Sequence, residues 1–393
     1  MVNKYIEVTD DAVVHTYNKA QLVLEHGEGA YVYDTEGKRY LDFAAGIAVS
    51  SLGYGCKELN DALKNQIDKM THTSNLYYNE TCGEAAAALA DISGMDRVFF
   101  CNSGTEAIEG CLKAARKYAY TKKSGRYEFI AMNDAFHGRS MGALSVTGRL
   151  PYRTPFEPLV PGVSFAEYNN LDSVKELITD KTCAVILEPL QGEGGINTAA
   201  PEFLAGLRKL CDEHDILLIF DEIQCGMGRT GSMFLWQQFG VKPDIMAMAK
   251  AIGSGLPVGA FAMTGKVAAD SLAPGDHGTT YGGNPLVCAA VSKTIEIFKK
   301  EKLIEHVKTV GEYLTAGLNA IAAEYECVLE RRGLGLIQGL TVSKPTGDII
   351  SKAMAEGLLI ISAGNNVLRL VPPLIITKEQ VDEMLKKLKK ALA

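Results

Sequence analysis

Short runs of uninterrupted apolar residues alternate with longer amphipathic segments through the middle of this sequence. Because the runs are continuous and do not alternate with polar residues, they predict strands that helices cover on both faces. They are RVFFCN (97–102), YEFIAM (127–132), CAVILEPL (183–190), ILLIFDEIQ (216–224) and IMAMAK (245–250). Between the first two runs, apolar residues recur near the helical period at Ala107, Ile108, Leu112, Ala115 and Tyr118. The pattern predicts an α/β domain around a mostly parallel sheet.

The two ends of the chain have a different pattern. After Pro285, long helical segments lead into the strand-like runs LGLIQGLTV and NVLRLVPPL, which is typical of a separate α+β unit. Near the amino end, GAYVYDTEGKRYLDF predicts a hairpin that turns at Glu36-Gly37, and we expect it to join that second unit. The expected division is an amino-terminal segment of a smaller α+β domain (1–60), a large domain (61–285) and the carboxy-terminal part of the smaller domain (286–393).

The composition narrows the class of protein. The 393 residues are 47% hydrophobic and 22% charged, which is typical of a globular protein large enough for two or three domains. With 40 Lys and Arg against 47 Asp and Glu, the net charge of −7 predicts no nucleic-acid or anionic membrane partner. The amino terminus lacks the apolar core of a signal peptide, and no run approaches the ~20 apolar residues of a membrane span. We therefore expect a cytoplasmic protein.

The cysteines and histidines indicate no metal site. The nine cysteines are scattered and include no C-x-x-C pair, so reduced thiols in the core explain them better than disulfides or zinc. The seven histidines have no H-x-x-x-H or similar spacing. We predict that the protein binds no metal.

A single lysine, Lys250, ends the last apolar run just before a glycine-rich turn. Lysine is rarely fully buried, because removing its charge from water costs more than its stem gains by packing. In one interpretation the stem covers the core while the amine reaches solvent. In the other, the amine is a desolvated nucleophile that forms a Schiff base. The position alone leaves both interpretations open.

A carboxylate pair, Asp221-Glu222, ends the run ILLIFD. A magnesium-binding strand of an NTPase would need a partner loop G-x-x-x-x-G-K-[S/T], and the chain has none. At the carboxyl edge of a parallel sheet, Asp221 could instead pair with the protonated ring nitrogen of a cofactor. A third interpretation is that Asp221 caps the next helix.

Three further motifs carry candidate chemistry. In CNSGTEA, Ser103 to Thr105 could bind a phosphate at a helix start, although a plain helix cap explains the motif equally well. In DAFHGRS, Phe136 could stack on a flat ring and Arg139 could bind a carboxylate. Arg369 is flanked by apolar residues, a setting in which arginine usually has a carboxylate partner. The segment around SGLPVG does not have the spacing of a dinucleotide fingerprint.

Together these motifs resemble those of a known family. The ordered set SGTEA, FHGR, EPLQGEGG, DEIQCGMGRTG, MAKAIGSGLPVGA and HGTTYGGNP is similar to that of the class III aminotransferases, which are fold-type I pyridoxal phosphate enzymes. The resemblance extends from about Tyr17 to the carboxyl end. It implies the fold of that class, with a large domain and a smaller domain. It also implies pyridoxal 5′-phosphate as cofactor and a homodimer with shared active sites.

The resemblance assigns cofactor roles to particular residues. Lys250 matches the lysine that carries the cofactor as a Schiff base, and Asp221 matches the partner of the pyridine nitrogen. The remaining cofactor positions are Ser103, Gly104 and Thr105 at the phosphate, Phe136 and Ile223 on the two ring faces, Gln224 near the ring hydroxyl, and Thr280, which the neighbouring subunit donates to the phosphate.

The resemblance also assigns substrate roles. Arg369 matches the binder of the α-carboxylate, and Glu193 matches an acidic switch that pairs with Arg369 while an ω-amine is bound. Arg139 matches a second carboxylate site, and Tyr17 matches a tyrosine near the carboxylate of the amine substrate. Ile47 stands where the ornithine-specific members have a tyrosine, which argues against free ornithine.

The implied reaction moves the side-chain amino group of an acylated ornithine to 2-oxoglutarate, as in arginine biosynthesis. Its rivals are ω-aminotransferases for succinylornithine, succinyl-diaminopimelate, 4-aminobutyrate or free ornithine. More distant alternatives are an aminomutase or racemase of the same fold, and a cofactor-free binding protein.

Overall fold

A computed structural model of the protein describes residues 3–393. The strands in this range, numbered along the chain, are β1 (Leu24–Glu28), β2 (Tyr31–Asp34), β3 (Arg39–Asp42), β4 (Arg97–Cys101), β5 (Glu128–Met132), β6 (Val163–Ala166), β7 (Thr182–Leu187), β8 (Leu190–Gln191), β9 (Asn197–Thr198), β10 (Leu217–Asp221), β11 (Ile245–Met248), β12 (Gly259–Met263), β13 (Val328–Leu334), β14 (Ile337–Val342), β15 (Leu358–Leu359), β16 (Ile361–Ala363) and β17 (Val367–Leu370).

The helices of the same range flank these strands. They are α1 (Lys4–Ala12), α2 (Ala45–Ala48), α3 (Lys57–Lys69), α4 (Glu80–Ser93), α5 (Gly104–Thr121), α6 (Met141–Ser145), α7 (Leu150–Arg153), α8 (Leu171–Leu177), α9 (Pro201–Glu213), α10 (Leu235–Phe239), α11 (Gly265–Asp270), α12 (Pro285–Lys300), α13 (Leu303–Glu324), α14 (Thr346–Ala355) and α15 (Lys378–Leu392). None of them is long and apolar enough to cross a membrane.

Seven strands form the large sheet, in the order β4-β12-β11-β10-β7-β5-β6. β12 runs antiparallel to both of its neighbours, and the other neighbouring pairs are parallel. The mostly parallel sheet predicted from the sequence is therefore confirmed. The predicted strands are somewhat shorter than expected: the run at 245–250 ends as a strand at Met248, and Lys250 begins a short 3₁₀ helix, Lys250–Ile252.

Successive residues of β10 point to opposite faces of the large sheet. Leu217 and Ile219 pack with Ala107 and Ile108 of α5 on one face. Leu218 and Phe220 pack with the apolar side of α9 on the other face. Helices thus bury both sides of the strand, which explains why its apolar residues are continuous.

The two ends of the chain meet in a separate small sheet with the order β1-β2-β3-β15. The amino-terminal hairpin is confirmed, since β2 and β3 pair antiparallel. β3 pairs in turn with β15 near the carboxyl end, which places Leu41 opposite Leu358. A second four-stranded sheet, β13-β14-β17-β16, lies wholly in the carboxy-terminal part. On this basis we propose that both ends of the chain form one smaller domain.

The topology collects the candidate residues at one edge of the large sheet. β4, β5, β7, β10 and β11 all point the same way, because β12 reverses direction between β4 and β11. Ser103, Phe136, Asp221 and Lys250 lie at or just beyond the carboxyl ends of their strands. Crevices at this edge are the usual ligand sites of open α/β sheets.

Gly110 tests how closely α5 packs on the large sheet. A Cβ atom added at Gly110 would lie 2.2 Å from Cε1 of Phe261, a fully buried ring of β12. We expect Gly110→Ala to lower the free energy of unfolding by about 1–3 kcal/mol despite its better helix propensity, because the core would be overpacked. Gly347→Ala in α14 is the matched control, since no atom lies within 4 Å of its added Cβ. Urea unfolding at equal protein concentration measures both, and equal stabilities would contradict the packing argument.

Candidate active site

A cavity of about 470 Å³ opens at the carboxyl edge of the large sheet. Its walls come from the segments that follow six strands (β4, β5, β7, β8, β10 and β11), from the segment before β12 and from Val49 after α2. Of the residues singled out in the sequence, those that line it are Ser103, Gly104, Thr105, Phe136, Arg139, Glu193, Asp221, Ile223, Gln224 and Lys250. The structure therefore brings most of the candidate residues together around one space.

Lys250 lies in the wall of this cavity, two residues beyond β11. Its backbone has a φ of +50°, in the left-handed region. Burial lowers the pKa of its amine, and the nearby guanidinium of Arg369 lowers it further, while Glu193 and Asp221 oppose both effects. A lowered pKa increases the fraction of the amine that is neutral and nucleophilic.

Asp221 ends β10 with its side chain buried. Its Oδ1 accepts a hydrogen bond of 3.0 Å from the backbone N–H of Ile223. Its Oδ2 accepts one of 2.8 Å from Nδ1 of His137, which is itself buried. Burial opposes a charge on His137, but the hydrogen bond and the negative charge of Asp221 together raise the pKa of the imidazole. The sequence showed His137 only as part of the FHGR motif, and its contact with Asp221 was missed.

Glu188 is a second buried carboxylate that the sequence analysis missed. It accepts a hydrogen bond from the backbone N–H of Phe136 and another from that of Gly192, each 3.1 Å long. Burial raises the pKa of Glu188 to about 7, although His137 and the two hydrogen bonds act against the shift. Glu188 thus links the loop that carries Phe136 to the loop that carries Glu193.

The start of α5 forms one end of the cavity. Oγ of Ser103 accepts a hydrogen bond of 3.3 Å from the backbone N–H of Glu106, so Ser103 caps the helix. Ser103, Gly104 and Thr105 also line the cavity, which means that the cap and a binding role are compatible. A Cβ atom added at Gly104 would lie 2.9 Å from Cδ1 of Ile223. The helix start, with its free backbone N–H groups, is suited to an anion.

Phe136 and Ile223 both line the space above Asp221. The ring of Phe136 meets the ring of Tyr152 edge-on, with centroids 6.1 Å apart. The guanidinium of Arg139 lies 3.9 Å from the centroid of Tyr152 and 5.5 Å from that of Phe136. Arg139 is thereby placed at the cavity with its charge over two aromatic faces.

Arg369 enters the site from β17 of the carboxy-terminal sheet. Its Nη1 donates a hydrogen bond of 2.6 Å to Oε1 of Glu193 and another of 3.0 Å to Oε1 of Gln224. The side chain of Arg369 is 3% exposed, whereas that of Glu193 is 24% exposed. The ion pair therefore joins a buried charge to a more accessible one, and Glu193 is the partner with more room to move.

Four residues named from the sequence do not line this cavity: Arg369, which contacts Glu193 and Gln224 of its wall, and Tyr17, Thr280 and Ile47. Tyr17 is 78% exposed, and Thr280 is exposed on the loop before α12. Ile47 is 43% exposed, and Val49, two residues further on, lines the cavity in its place. Ile47, the residue at the position of the ornithine-specific tyrosine, thus does not line the cavity within one chain.

The sequence matches the class-III aminotransferases over residues 12–392. This chain belongs to that family. The acetylornithine aminotransferase of Methanocaldococcus jannaschii is 44% identical over 385 residues, which cover 97% of this chain and 96% of the relative. The acetylornithine aminotransferase of Clostridium acetobutylicum is 45% identical and covers 95% of this chain and 97% of its own.

Solved structures show the same fold. The ornithine aminotransferase of Toxoplasma gondii is 31% identical, with a TM-score of 0.95, and covers 100% of this chain and 94% of its own. The acetylornithine aminotransferase of Elizabethkingia anophelis is 29% identical, with a TM-score of 0.88, and covers 99% of this chain and 98% of its own. The architecture is thus that of the fold-type I pyridoxal phosphate enzymes, as expected from the sequence.

The lowered pKa of Lys250 makes stability depend on pH. The folded chain holds this proton less tightly than the unfolded chain does, so stability is full above the ordinary pKa of 10.5 and is lost as the pH falls below it. In the cofactor-free protein, Lys250→Met should therefore gain stability relative to wild type as the pH is lowered from 10.5 to 8. Urea unfolding across this range measures the difference, with Lys266→Met at an exposed position as control. Parallel profiles for wild type and Lys250→Met would contradict the shift.

Proposed function

We propose that this enzyme transfers the δ-amino group of N-acetylornithine to 2-oxoglutarate, with pyridoxal 5′-phosphate as its cofactor. The observation that carries the proposal is the ion pair between Arg369 and Glu193, because Glu193 lines the same cavity as Lys250 and Asp221. An aminotransferase that accepts both an ω-amine and a dicarboxylate needs a cation that binds a carboxylate of the dicarboxylate. While the ω-amine is bound, a carboxylate of the protein must neutralise that cation. Relatives named acetylornithine aminotransferase, identical at 44–46% of positions over nearly the whole chain, support the choice of substrate.

The residues of the cavity fit this cofactor. The start of α5 would hold the phosphate, and Phe136 and Ile223 would lie on the two ring faces. Asp221 would pair with the ring nitrogen, and Lys250 would bind the aldehyde carbon through its amine. When bound, pyridoxal phosphate supplies a protonated ring that withdraws electrons from the amine-bearing carbon of the substrate.

Asp221, Lys250 and Arg139 would each have a distinct role in the reaction. Asp221 would place its carboxylate at the ring nitrogen, and His137 orients that carboxylate through the 2.8 Å hydrogen bond. The amine of Lys250 would act as the base that takes a proton from the amine-bearing carbon of the substrate. Its lowered pKa favours the neutral form that this step requires. Arg139, at the cavity wall, would bind the carboxylate of the amine substrate.

The pair of Glu193 and Arg369 would let one site serve two substrates. With an ω-amine bound, Glu193 neutralises Arg369, which would otherwise be an unpaired buried cation. With glutamate bound, Glu193 withdraws and Arg369 takes the α-carboxylate. Glu193 is the more exposed partner, so its movement requires less rearrangement than a movement of Arg369.

Single-turnover reactions with a panel of amines test this function. Purified enzyme is mixed with N-acetylornithine, N-succinylornithine, ornithine, 4-aminobutyrate or succinyl-diaminopimelate, and the released oxo product is quantified by mass spectrometry. We expect N-acetylornithine to react with the highest kcat/KM. A preference for any other amine would replace it as the assigned substrate.

Glu193→Ala tests the switch in the same assay. The variant should slow the N-acetylornithine half-reaction on the order of 10- to 100-fold, because a charge-assisted contact of about 1.5–3 kcal/mol is lost and the uncovered Arg369 attracts the substrate carboxylate into the wrong position. The glutamate half-reaction should stay fast. Equal slowing of both half-reactions would refute the switch.

We also propose that the active enzyme is a homodimer in which Thr280 completes the partner's cofactor site. Leu76, Tyr77 and Tyr78 form an exposed apolar segment. This segment follows Asn75, whose side chain donates hydrogen bonds to the carbonyl groups of Thr279 and Gly282, so it lies beside the loop that carries Thr280. A second copy would cover this surface and receive Thr280.

Hybrid dimers test the sharing of sites. Lys250→Ala chains mixed with Thr280→Glu chains should regain activity, because each hybrid contains one site with an intact Lys250 and an intact Thr280. Mixing Lys250→Ala with Asp221→Asn is the matched control and should regain nothing, since both residues belong to the same chain's site. No recovery in the first mixture, with heterodimers verified by native mass spectrometry, would contradict the shared site.

A further inference from the structure

The loop that carries Glu193 is a thin wall between two spaces. It joins Gln191, the last residue of β8, to Asn197, the first residue of β9, over residues 192–196. On one side Glu193 lines the catalytic cavity. On the other side Gln191, Ile196 and Asn197 line a polar cleft of about 720 Å³, which also contains Arg332 of β13. The position of Glu193 therefore depends on what holds the loop from the side of the cleft.

The loop has few ties of its own. β8 and β9 pair at only two positions, Leu190 with Thr198 and Gln191 with Asn197. The side-chain amide of Asn197 donates hydrogen bonds of 3.1 Å to Oε1 of Gln191 and to the carbonyl of Gly194. A hairpin this short is marginally stable without outside contacts.

The outside contacts come from the carboxy-terminal sheet and from residues around the large sheet, where Gln191 donates a hydrogen bond of 2.8 Å to the carbonyl of Asn133 and the backbone N–H of Gly192 donates one of 3.1 Å to Glu188. Nη1 of Arg332 donates a hydrogen bond of 2.8 Å to Oδ1 of Asn197 and a longer one of 3.4 Å to the carbonyl of Gly195. Glu330 orients this guanidinium by accepting a hydrogen bond of 2.7 Å from Nε. The backbone N–H of Gly364 donates to the carbonyl of Glu193 at 2.7 Å. From the large domain, Arg149 adds a contact of 3.5 Å to the same carbonyl.

The register of the carboxy-terminal sheet links these contacts to Arg369. Arg332 of β13 pairs with Gly339 of β14, and Gly339 pairs with Arg369 of β17. The three residues form one row across the sheet, and directly paired residues have their side chains on the same face. Gly339 has no side chain, and Ile196 of the Glu193 loop packs against it: a Cβ atom added at Gly339 would lie 3.0 Å from Cγ1 of Ile196. At one end of this row Arg369 binds the carboxylate of Glu193, and at the other end Arg332 binds the loop that carries Glu193.

We propose that Arg332 and Asn197 are positioning residues that fix the distance between Glu193 and Arg369, and thereby set the balance between the two half-reactions. The inference rests on the proposed function. Glu193 must leave Arg369 in one half-reaction and return in the other. The hydrogen bond from Arg332 to Asn197 restricts that movement to the tip of the loop, so that the carboxylate returns to the same place.

Loss of this hydrogen bond should affect the two half-reactions differently. With a looser loop, Glu193 covers Arg369 less often, so the ω-amine half-reaction should slow about 2- to 10-fold, as expected for one lost hydrogen bond. The glutamate half-reaction should keep its rate. Its KM should fall, because Glu193 then competes less with glutamate for Arg369.

The variants Arg332→Ala and Asn197→Ala remove the hydrogen bond from either side. Arg331→Ala is the matched control: Arg331 is the neighbouring residue of β13, but it bonds to Asn319, to Gln338 and to the carbonyl of Gly333, away from the loop. Hydrogen–deuterium exchange of residues 191–197 should accelerate in the first two variants and not in the control. Single-turnover rates with the amine and with glutamate give the ratio of the half-reactions.

A double-mutant cycle separates positioning from a merely structural role. If Arg332 acts through Glu193, then Arg332→Ala should not change the ratio of the half-reactions further in a Glu193→Ala background. A change of the ratio that persists in that background would overturn the proposal, as would an equal effect of Arg331→Ala or an unaltered exchange of the loop. Failure of wild type to use N-acetylornithine would overturn only the proposed function, and the cycle would then be measured with the ω-amine that the wild type accepts.

Discussion

Buried charge at the carboxyl edge of the large sheet is the constraint on which the site depends. A carboxylate removed from water must receive hydrogen bonds, because its lost solvation is otherwise uncompensated. Asp221 receives them from His137 and from the backbone of Ile223, and Glu188 receives them from the backbones of Phe136 and Gly192. Meeting these requirements fixes three loops relative to the sheet. The shape of the cavity thus follows from the need to satisfy two buried carboxylates.

The positive charges of the site come from two different sheets. Lys250 follows β11 of the large sheet, whereas Arg369 lies in β17 of the carboxy-terminal sheet. The two charges are close enough to interact, since the guanidinium of Arg369 helps to lower the pKa of Lys250. Any shift of one sheet relative to the other would change both the pKa of the Lys250 amine and the distance between Glu193 and Arg369. The contacts between the sheets therefore matter for the chemistry as well as for stability.

The sequence predicted the parts of the site that lie next to strands. Lys250 and Asp221 could be found because each follows a continuous apolar run, and Ser103 because it precedes a helical pattern. His137 and Glu188 could not be found, because their partners lie 84 and 52 residues away in the chain. The row formed by Arg332, Gly339 and Arg369 was equally hidden, since a sequence does not state the register of its strands. The run at 183–190 divides because Pro189, which has no N–H to donate, follows Leu187 and Glu188.

The left-handed backbone conformation of Lys250 lowers the stability of the fold at a residue that the proposed reaction requires. A residue with a Cβ atom in this conformation carries strain of roughly 1–2 kcal/mol, which glycine would not. Burial of the amine adds a second cost. Stability alone would favour another residue at this position, whereas the proposed chemistry requires an amine here. The residue is thus a place where the chain gives up stability for activity, and nearby mutations that restore stability would be tolerated only where they leave its geometry unchanged.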